Sequence, residues 1–551
     1  MEQQRPPTTL RIVALNDFHG ALYERAPGVR SPEAQGGLPF LVSAVEWLRQ
    51  QNAELIVLDG GDQFQGSWPV NQSRGRGSVQ AMNLLGLDAA AIGNHEFDYG
   101  GDPDGDSLRG AFLSAADQAN YPFLAANIRQ GGAPWLPDGV QRFVVLERNG
   151  LRIGVVGLST TETPTTTKPA NVADLTFEDP VKAVRDLMPE LEASNLDVTV
   201  LVGHLTGACS PAGTFDVGRP CTPDGEIGRL LTELPEGTFD VMVLGHAHTL
   251  LSHRVGQTFL LEQRDKGRAL GVLDLVVTPE GVDVEASHPW LWPLTHLPAD
   301  PGCSGKPFPD YEFVVGGVPL MPSKSALALI EELEAASGSL CEPVTCAKQP
   351  IKRARKGESA LGNWATDAML AAFPGADLAI QNAGGLRANL PEGEVRREHI
   401  HAMMPFENRT LLVEMTGAQV RTLLRIGSSG QHGLLQVAGA RYRFDPQQTE
   451  GSDLDGDGAV ADWERERLCE EVQIGGAPLE DEKTYRVVTN DFLFAGGDHL
   501  GPAFEGARIV DEGPSLRDVF DGAAAKVDGC LDPAKLKRAS QPRIQRGTCR
   551  E

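Results

Sequence analysis

Residues 10–20 read LRIVALNDFHG, an apolar run that ends in the polar residues Asn16, Asp17 and His19. A short apolar run closed by polar and glycine residues is typical of a buried β-strand. Five further apolar runs predict strands at residues 54–62, 151–159, 196–204, 239–248 and 258–263. Several of them are apolar throughout, which is expected when both faces of a sheet are covered. The chain therefore begins with a sheet buried on both faces.

The spacing of apolar residues predicts an α/β fold in two domains. Residues 38–51, between the first two strands, have helical spacing, so helices alternate with strands over residues 8–300. Proline and glycine then interrupt the pattern, and a helix beginning at Ser323 or Ser325 follows, which indicates a linker and connecting helix at residues 301–339. Residues 340–551 form a second α/β domain, with a helix at 361–373 and strands at 376–385, 410–417 and 484–491.

Charge and composition limit the partners. The chain carries 49 Lys and Arg against 75 Asp and Glu residues, a net charge of −26, which argues against nucleic-acid polymers and acidic membrane surfaces as partners. A small phosphate ester stays compatible with this charge if bound cations supply local positive charge. No run of about 18 apolar residues is present, so we predict no transmembrane segment. The oligomeric state is left open.

The cysteines bear on the compartment. The chain has an even number of them, 8, mostly in loops rich in Gly, Pro and Ser. Short separations (Cys209 with Cys221, Cys341 with Cys346, Cys530 with Cys549) favour disulfides in a secreted or periplasmic protein over free thiols, the alternative. The first residues, MEQQRPPTTL, lack the apolar core of a secretory signal, so we expect either a cytosolic protein or one from which the signal has been removed.

Metal-ligating and acid–base side chains follow the predicted strands. In open α/β sheets the functional crevice lies at the carboxyl ends of the strands, so side chains at these ends should converge. A single histidine is more often structural, but five of the 12 histidines follow apolar strands beside Gly or Asp. The candidate residues are Asp17, His19, Asp62, Asn94, His95, Asp98, His204, His246 and His248.

The types of ligand indicate which metals would bind. Imidazole, carboxylate and amide groups together suit Zn²⁺, Mn²⁺, Fe or Co better than Ca²⁺, which prefers oxygen ligands alone. Seven ligand groups are more than one tetrahedral ion requires. Two divalent transition metals that share Asp62 would use all seven, as in dinuclear hydrolases.

Five motifs carry a resemblance to known proteins. DFHG (17–20), GGDQFQGS (60–67), GNHEFD (93–98), GH (203–204) and GHAH (245–248) occur in the order found in calcineurin-like metallophosphatases. GNHEFD, together with motifs near the C-terminus, resembles the 5′-nucleotidase family. The resemblance implies an N-terminal four-layer α/β/β/α metallophosphatase domain, a linker helix and a C-terminal mixed α/β domain that binds the nucleotide.

The resemblance also implies roles for the candidate residues. Asp17, His19 and His248 would hold one metal, Asn94, His204 and His246 the other, and Asp62 would bridge the two. His95 and Asp98 would be the catalytic pair, with His95 contacting the leaving or phosphoryl oxygen and Asp98 orienting its imidazole. We interpret Glu96 as a helix-start or salt-bridge residue.

The second domain contains the motifs expected of a nucleotide-binding site. By resemblance, Phe406 and Phe492 would stack on the base, and Asp498 would accept hydrogen bonds from the ribose hydroxyls. FAGGDHL (494–500) departs from the family pattern at Phe494, His499 and Leu500, so base and sugar preference stay open. The remaining substrate-binding residues would be Arg355, Asn382, Arg387 and Asn408.

Residues 453–464, DLDGDGAVADWE, match the spacing of an EF-hand calcium loop. Residues 440–446 before the loop are predicted to form a strand, and only residues 463–471 after it are predicted to be helical. We therefore expect a structural Ca²⁺ site rather than a calcium switch, with a solvated acidic turn as the alternative. The ligands would be Asp453, Asp455, Asp457, the Ala459 carbonyl and Glu464.

The resemblance predicts an enzyme that hydrolyses nucleoside 5′-monophosphates. Nucleoside di- or triphosphates and nucleotide sugars are further candidate substrates. Two metal ions would activate a hydroxide for attack on phosphorus. One alternative is a 2′,3′-cyclic-nucleotide 2′-phosphodiesterase with 3′-nucleotidase activity. A more remote alternative is a nucleotide-binding protein without catalysis, which would require a broken ligand set.

Overall fold

The protein is described by a computed structural model that forms two compact units. One contains Met1–Thr167 and Asn171–Gly338, and the other contains Lys168–Ala170 and Ser339–Glu551. The structure describes residues 6–25, 33–52, 54–101, 107–207, 209, 216–217, 221–222, 225–299, 308–337, 340–406, 408–454, 458–538 and 540–549.

The first unit contains two seven-stranded mixed sheets. In spatial order, the first sheet consists of Gly281–Pro293, Ala269–Thr278, Thr8–Leu15, Ile56–Asp59, Ala89–Ala91, Phe123–Leu124 and Val140–Gln141. The second consists of Asp216–Val217, Leu250–Val255, Thr258–Gln263, Val241–Gly245, Val198–His204, Leu151–Ser159 and Phe143–Arg148. All six strands predicted for this region are present.

The two sheets pack face to face and are covered by helices on their outer faces. Leu10, Ile12 and Leu58 of the first sheet share one buried cluster with Val200 and Val243 of the second. Outside the first sheet lie helices Leu38–Gln51, Trp68–Gln72, Arg76–Leu85, Gly110–Ala116 and Lys324–Ser337. Outside the second lie Pro180–Ala193 and Glu226–Glu233. This is the four-layer α/β/β/α arrangement that the resemblance implied.

Smaller elements complete the first unit. Strands Leu175–Phe177, Ile128–Gln130 and Ala133–Pro134 form a three-stranded sheet, and a short helix spans Thr163–Thr166. Strand Thr295–His296 pairs with Ala34–Gln35, and Phe313–Val315 pairs with Val318–Leu320. Phe313, Leu320 and Leu333 lie in the core of the first unit, so the segment before and within helix Lys324–Ser337 packs against that unit.

The second unit is built around a five-stranded mixed sheet in the order Gln436–Ala438, Leu378–Gln381, Thr484–Asn490, Arg409–Thr416 and Arg508–Ser515. Alternate residues of these strands belong to two different buried clusters. Ile380 and Val487 lie in one cluster, and Ala379 and Val488 lie in the other. The helices are Ala360–Ala372, Arg397–Met403, Gly417–Ser428, Asp491–Phe494, Gly501–Phe504, Leu516–Ala525 and Pro533–Leu536.

Two smaller sheets accompany this core. One joins Gly393–Arg396, Pro343–Ala347 and Cys530–Leu531, and the other joins Ala477–Pro478, Gln473–Ile474, Ala440–Phe444 and Ile544–Arg546. Several helices begin where a side chain accepts a hydrogen bond from a free backbone N–H group. Ser359 caps helix Ala360–Ala372 in this way, and Thr416 and Gln419 form a capping box at Gly417–Ser428.

The disulfides are present, but two of the three pairings suggested by short separation are wrong. Cys209 does bond Cys221, whereas Cys346 bonds Cys530 and Cys469 bonds Cys549; Cys341 is also disulfide-bonded. The reason for one of these pairings is sheet register, since Cys346 and Cys530 are opposite each other on adjacent parallel strands. No cysteine that the structure describes is free.

Within the described ranges, no helix combines the length and apolar character required to cross a bilayer.

Candidate metal centre

The candidate metal ligands lie where parallel strands of the two sheets end. In the first sheet, Leu15, Asp59 and the strand Ala89–Ala91 lie side by side, and in the second sheet Ser159, His204 and Gly245 do. The polar side chains follow directly after these strand ends. Asp17, His19, Asp62 and Asn94 come from the first sheet, and His204, His246 and His248 come from the second.

The two sheets touch backbone to backbone at this edge. A Cβ atom on Gly60 would lie 2.7 Å from the carbonyl carbon of Leu244, and one on Gly245 would lie 2.8 Å from the carbonyl oxygen of Gly60. Similarly, a Cβ on Gly93 would clash with Oδ1 of Asp62. Gly60 and Gly245 therefore allow ligands from the two sheets to come together, and Gly93 allows Asp62 and Asn94 to approach within one sheet.

Asp17, His19 and His248 form the first ligand cluster. The Nε2 atoms of the two histidines are 3.1 Å apart, and Nε2 of His248 lies 3.1 Å from Oδ1 of Asp17. Nε2 of His19 lies 3.9 Å from the same oxygen. One ligand atom from each residue therefore faces a common point, as one metal ion would require.

Asn94, His204 and His246 form the second cluster. Oδ1 of Asn94 lies 3.2 Å from Nε2 of His204 and 3.2 Å from Nδ1 of His246. The two nitrogens are themselves 3.2 Å apart. An amide oxygen and two imidazole nitrogens thus form a second triangle of ligand atoms.

Asp62 lies between the two clusters. Its Oδ2 is 3.2 Å from Nε2 of His204 in the second cluster and 3.9 Å from Nε2 of His19 in the first. The residue is 2% exposed, so its charge is shielded from solvent. The structure brings all seven predicted ligands together, with the shared aspartate in the position that bridging requires.

The ligand set fits divalent cations. Nδ1 of His204 lies 3.0 Å from the carbonyl oxygen of Gly60, so we assign the proton to Nδ1, which leaves the lone pair of Nε2 directed at Asn94 and Asp62. Nδ1 of His19 lies 3.4 Å from the carbonyl oxygen of Phe64, which orients that ring in the same way. A backbone acceptor on the remote nitrogen is the usual support of a metal-binding histidine.

The electrostatics of the cluster favour positive charge. Burial raises the pKa of Asp17, but His248 and His204 together outweigh burial and the pKa is about 2. Burial likewise opposes ionisation of Asp62, yet His204, His95 and His19 hold its pKa well below the usual value. Burial lowers the pKa of His204, but Asp62, Asp17 and Glu96 together raise it to about 10. A cation at this position would be stabilised by the same carboxylates.

The backbone at the ligands is unusual. Five of the seven have positive φ: Asp17 (49°), His19 (47°), Asp62 (58°), His246 (91°) and His248 (54°). Non-glycine residues rarely adopt this conformation, and it clusters at functional sites where the surrounding structure fixes it. The turns after the strands thus hold the ligand side chains in place before any ion binds.

His95 and Asp98 are paired as predicted. Nδ1 of His95 lies 2.6 Å from Oδ2 of Asp98, and the hydroxyl of Thr167 donates to Oδ1 of Asp98 at 2.9 Å. Nε2 of His95 lies 4.0 Å from Oδ2 of Asp62. The imidazole is thus oriented by Asp98 with its other nitrogen directed at the ligand clusters.

Glu96 has a role that the sequence analysis missed. It is 1% exposed, and its carboxylate accepts backbone N–H bonds from Gly93 (2.7 Å), Gln63 (2.7 Å) and Asp62 (3.1 Å). Burial and the Asp62 carboxylate raise its pKa to about 7. As predicted, Glu96 lies at the start of a helix, the 3₁₀ turn His95–Phe97. The hydrogen-bond partners of its carboxylate are not cations, however, but backbone amides of the loops that carry two ligands.

Glu226 is a second buried glutamate whose carboxylate accepts hydrogen bonds from loop residues. Its Oε1 accepts from the backbone N–H and the hydroxyl of Thr161, both at 2.8 Å, and its Oε2 accepts from the N–H (2.8 Å) and hydroxyl (3.0 Å) of Thr206. Thr206 lies two residues after His204. Glu226 therefore joins the loops after two adjacent strands, and the sequence offered no motif by which to find it.

The predicted nucleotide-binding residues of the second unit lie around Asp498. Nδ2 of Asn382 donates to Oδ2 of Asp498 at 2.8 Å, and Nδ1 of His432 lies 3.9 Å from Oδ1. Burial raises the pKa of Asp498. The charges of His432, Arg355 and Arg387 and the hydrogen bond from Asn382 act in the opposite direction and lower it. These groups are therefore close enough to act on one carboxylate, as a shared binding site requires.

The two predicted stacking residues have different surroundings. The Arg387 guanidinium lies 5.6 Å from the ring centroid of Phe406, a cation–π contact. Phe492 packs on Gly497, where any Cβ would clash with the ring. Phe406 and Phe492 pack against different core clusters. Their stacking on a base stays a prediction.

Two neighbouring arginines are used differently. Nη1 of Arg353 donates to the carbonyl oxygen of Leu386 at 2.8 Å, so this side chain fixes the loop that carries Arg387. The Arg355 side chain is exposed and forms no hydrogen bond or salt bridge with residues that the structure describes, which favours it as the ligand-binding arginine.

Asn408 is anchored through its carbonyl oxygen, which accepts from Leu516 N–H at 2.8 Å.

An aromatic cluster beside Asp498 was not predicted. His499 stacks on Trp463 with ring centroids 4.8 Å apart and an interplanar angle of 7°, and His432 lies 5.1 Å from His499. Asp498 and His499 both have positive φ, 54° and 62°. The departure of His499 from the family pattern was the only feature of the sequence that pointed to this residue. No feature of the sequence pointed to His432.

The proposed calcium loop lies partly outside the described residues, because Asp455 and Asp457 are not described. Oδ2 of Asp453 accepts from Gly458 N–H at 2.9 Å. The Glu464 carboxylate, 1% exposed, accepts from the N–H groups of Leu454 (2.5 Å) and Ala461 (2.7 Å). The helix predicted at residues 463–471 is wrong, since only a 3₁₀ turn, Asp462–Glu464, forms there.

Comparisons with known proteins agree with this geometry. Residues 10–250 match the calcineurin-like phosphoesterase family, and residues 340–506 match the 5′-nucleotidase C-terminal domain. The chain is 27% identical to the cell wall protein Lmo0130 of Listeria monocytogenes over 91% of this chain, but it spans only 65% of that protein. It is 25% identical to the 5′-nucleotidase of Bos taurus, over 98% of this chain and 91% of that protein.

A solved structure shares the fold. The 5′-nucleotidase precursor from Thermus thermophilus superposes with a TM-score of 0.75 at 24% identity, covering 98% of this chain and 99% of that one. The two family matches follow each other along the chain and fall in the two compact units. The chain thus combines a region that matches the calcineurin-like phosphoesterase family, residues 10–250, with one that matches the 5′-nucleotidase C-terminal domain, residues 340–506.

Proposed function

We propose that the protein hydrolyses nucleoside 5′-monophosphates to nucleoside and phosphate outside the cytoplasm. The observation that carries this proposal is the pair of ligand clusters that share Asp62, beside an oriented His95. The disulfides and the similarity to a cell wall protein support the location.

Within this proposal, Asp17, His19 and His248 would hold one divalent cation and Asn94, His204 and His246 the other, with Asp62 available to both. Such cations would lower the pKa of a bound water and screen the charge of the phosphoryl oxygens. The identity of the metals, among Zn, Mn, Fe and Co, is not fixed by the ligand types.

His95 supplies the proton chemistry. Asp98 accepts from Nδ1 and stabilises the protonated imidazole, and Thr167 fixes the carboxylate. Nε2–H can then donate to a phosphoryl oxygen or to the leaving 5′-oxygen as the phosphorus–oxygen bond breaks. The second unit supplies recognition, with Asp498 accepting from the ribose hydroxyls and Phe406 and Phe492 contacting the base.

The function is tested by phosphate release from a panel of AMP, ADP, a nucleotide sugar, 2′,3′-cyclic AMP and glycerol 2-phosphate, after each metal is added back to chelator-treated protein. AMP should be hydrolysed with the highest kcat/KM. Phe492→Leu should raise the KM for AMP without changing the hydrolysis of glycerol 2-phosphate, which has no aromatic ring to stack. Faster release from 2′,3′-cyclic AMP than from AMP would instead identify the cyclic phosphodiesterase.

Replacing His95 separates catalysis from metal binding. His95→Ala should lower kcat about 10²- to 10⁴-fold, the usual contribution of a positioned acid or base. The metal content, measured by elemental analysis, should stay at that of the wild type, because His95 is not among the seven ligands. A variant that loses its metals would show that His95 is itself a ligand and would refute this division of roles.

Glu96 should act through the loops that it holds. Glu96→Gln replaces one acceptor oxygen with an NH₂ group that cannot accept, so we expect metal affinity to fall about 10- to 100-fold, as for other residues that support ligands. Competition with a chelator measures this affinity. Glu332→Gln, on the exposed side of helix Lys324–Ser337, is the matched control and should leave it unchanged. Equal affinities in both variants would contradict the proposed role.

We also propose that residues 453–464 bind Ca²⁺. The contacts of the Asp453 and Glu464 carboxylates with the backbone N–H groups of Gly458, Leu454 and Ala461 support this. Addition of Ca²⁺ to the calcium-free protein should raise the Tm, because a ligand that binds only the folded state stabilises it. Glu464→Gln should abolish the shift. A Tm that does not respond to millimolar Ca²⁺ in the wild type would identify the loop as a solvated acidic turn.

A further inference from the structure

The turn at residues 263–266 contacts the first ligand cluster, although none of the seven predicted ligands belongs to it. It follows strand Thr258–Gln263, and Arg264 (65°) and Lys266 (61°) both have positive φ. Non-glycine residues keep this conformation only where the surrounding structure fixes it, which is common at functional sites. The contacts of the turn therefore indicate which part of the site it supports.

The turn holds Asp17, partly through Asn16. Asn16 is 3% exposed; its Oδ1 accepts from the N–H of Gln263 at 2.8 Å, and its Nδ2 donates to the carbonyl oxygen of Arg264. The same Nδ2 donates to Oδ2 of Asp17 at 2.6 Å. The N–H of Lys266 donates to the carbonyl oxygen of Asp17 at 2.7 Å. Both the backbone and one carboxylate oxygen of this ligand are thus fixed.

The turn also holds the segment that carries His248. The N–H of Arg264 donates to the carbonyl oxygen of Thr249 at 2.7 Å. Glu262, which is 1% exposed and directly precedes the turn, accepts from the N–H of Thr249 at 2.7 Å and from its hydroxyl at 2.6 Å. Because Thr249 is the residue after His248, these hydrogen bonds fix the backbone beside this ligand.

A carboxylate of the turn faces the ring of His248. Nε2 of His248 is directed at the cluster, and Nδ1, the other ring nitrogen, lies 3.8 Å from Oδ2 of Asp265. Oδ1 of Asp265 forms an ion pair with Arg268, which orients the carboxylate. At this distance the carboxylate acts on the ring through its charge rather than through a direct hydrogen bond. It favours the tautomer with the proton on Nδ1, which leaves the lone pair of Nε2 available to a cation.

The second cluster does not share this support. Within the described ranges, residues 262–265 form no hydrogen bond or ion pair with its three ligands. The carboxylate that faces His246 belongs to Glu162, whose Oε2 lies 3.8 Å from Nε2 of His246. The Glu162 side chain is 37% exposed, against 15% for Asp265, so solvent screens its charge more strongly.

Asp265 is better suited than Asp17 to a test on one cluster alone. Asp17 also accepts from the backbone N–H of His246 at 3.1 Å, so a change that displaces Asp17 would disturb both clusters. Among the seven ligands, all of which the structure describes, Asp265 faces His248 alone.

We propose that Asp265 is a positioning residue for His248, and that the turn at 263–266 sets the affinity of one cation site separately from the other. This inference rests on the centre of two cations proposed above. Loss of the Asp265 carboxylate weakens the site formed by Asp17, His19 and His248 and spares the site formed by the second cluster. A centre supported in this way can release one cation and keep the other.

Metal binding to the chelator-treated full chain is the first test. Zn²⁺ is titrated with millimolar Ca²⁺ present, which keeps the acidic loop at residues 453–464 from taking up the titrated metal. The wild type should bind two ions. Asp265→Asn should bind one of them about 10- to 100-fold more weakly, the usual effect of losing a group that supports a ligand. Asp117→Asn, an exposed aspartate after helix Gly110–Ala116, is the matched control and should bind both ions as the wild type does.

Variants that keep a single site identify which one is weakened. Asn94→Ala removes a ligand of the second cluster, and His19→Ala removes a ligand of the first. Each variant should hold one ion, so coupling between two ions plays no part. Adding Asp265→Asn should weaken the remaining ion about 10- to 100-fold in the Asn94→Ala background and leave it unchanged in the His19→Ala background. A residue that only stabilised the fold would weaken both equally.

The Tm of the chelator-treated protein verifies folding and should be the same for Asp265→Asn and the wild type. If Asp265→Asn does not fold, Asp265→Ser replaces it. Equal weakening in both backgrounds, or no weakening in either, would overturn the inference and leave the two cation sites in place. A wild type that binds a single ion would instead refute the two-cation centre, and this inference with it.

Discussion

The candidate metal centre depends on the contact between two sheets at Gly60 and Gly245. The backbones of the two sheets come close together there, and Asp62 lies 3.2 Å from His204, which belongs to the opposite sheet. A buried carboxylate is costly unless positive groups or hydrogen bonds compensate it. Asp62 has His204 and His95 around it, so the sheet contact creates a position where a negative charge is stable and a cation is attracted.

This arrangement requires backbone strain that the rest of the first unit must outweigh. Asp17, His19, Asp62, His246 and His248 each have positive φ, at a cost of roughly 1–3 kcal/mol per residue. The compensation comes from the buried core between the sheets and from polar residues that fix the loops. Glu96 and Glu226 do so by accepting several hydrogen bonds from loop residues each. The ligands are therefore preorganised by residues that need not contact a metal.

Sequence reasoning located the ligands because they follow apolar strands, most of them beside glycine, and parallel strands end at one edge. It could not identify the roles of Glu96 and Glu226. The partners of these glutamates are backbone amides and side chains in loops distant along the chain, and such contacts leave no motif in the sequence. His432 was missed for the same reason, since it approaches Asp498 from a separate loop. Two disulfide pairings failed because sequence separation was used where sheet register decides, as at Cys346 and Cys530.

The stacking of His499 on Trp463 has a consequence for how substrate range could diversify in such a scaffold. Trp463 belongs to the acidic loop insertion, whereas His499 follows the carboxylate proposed to recognise ribose. This segment is thereby in direct contact with the residue next to Asp498. Descendants that lengthen, shorten or rebuild this insertion would inherit altered sugar selectivity without any substitution among the binding residues.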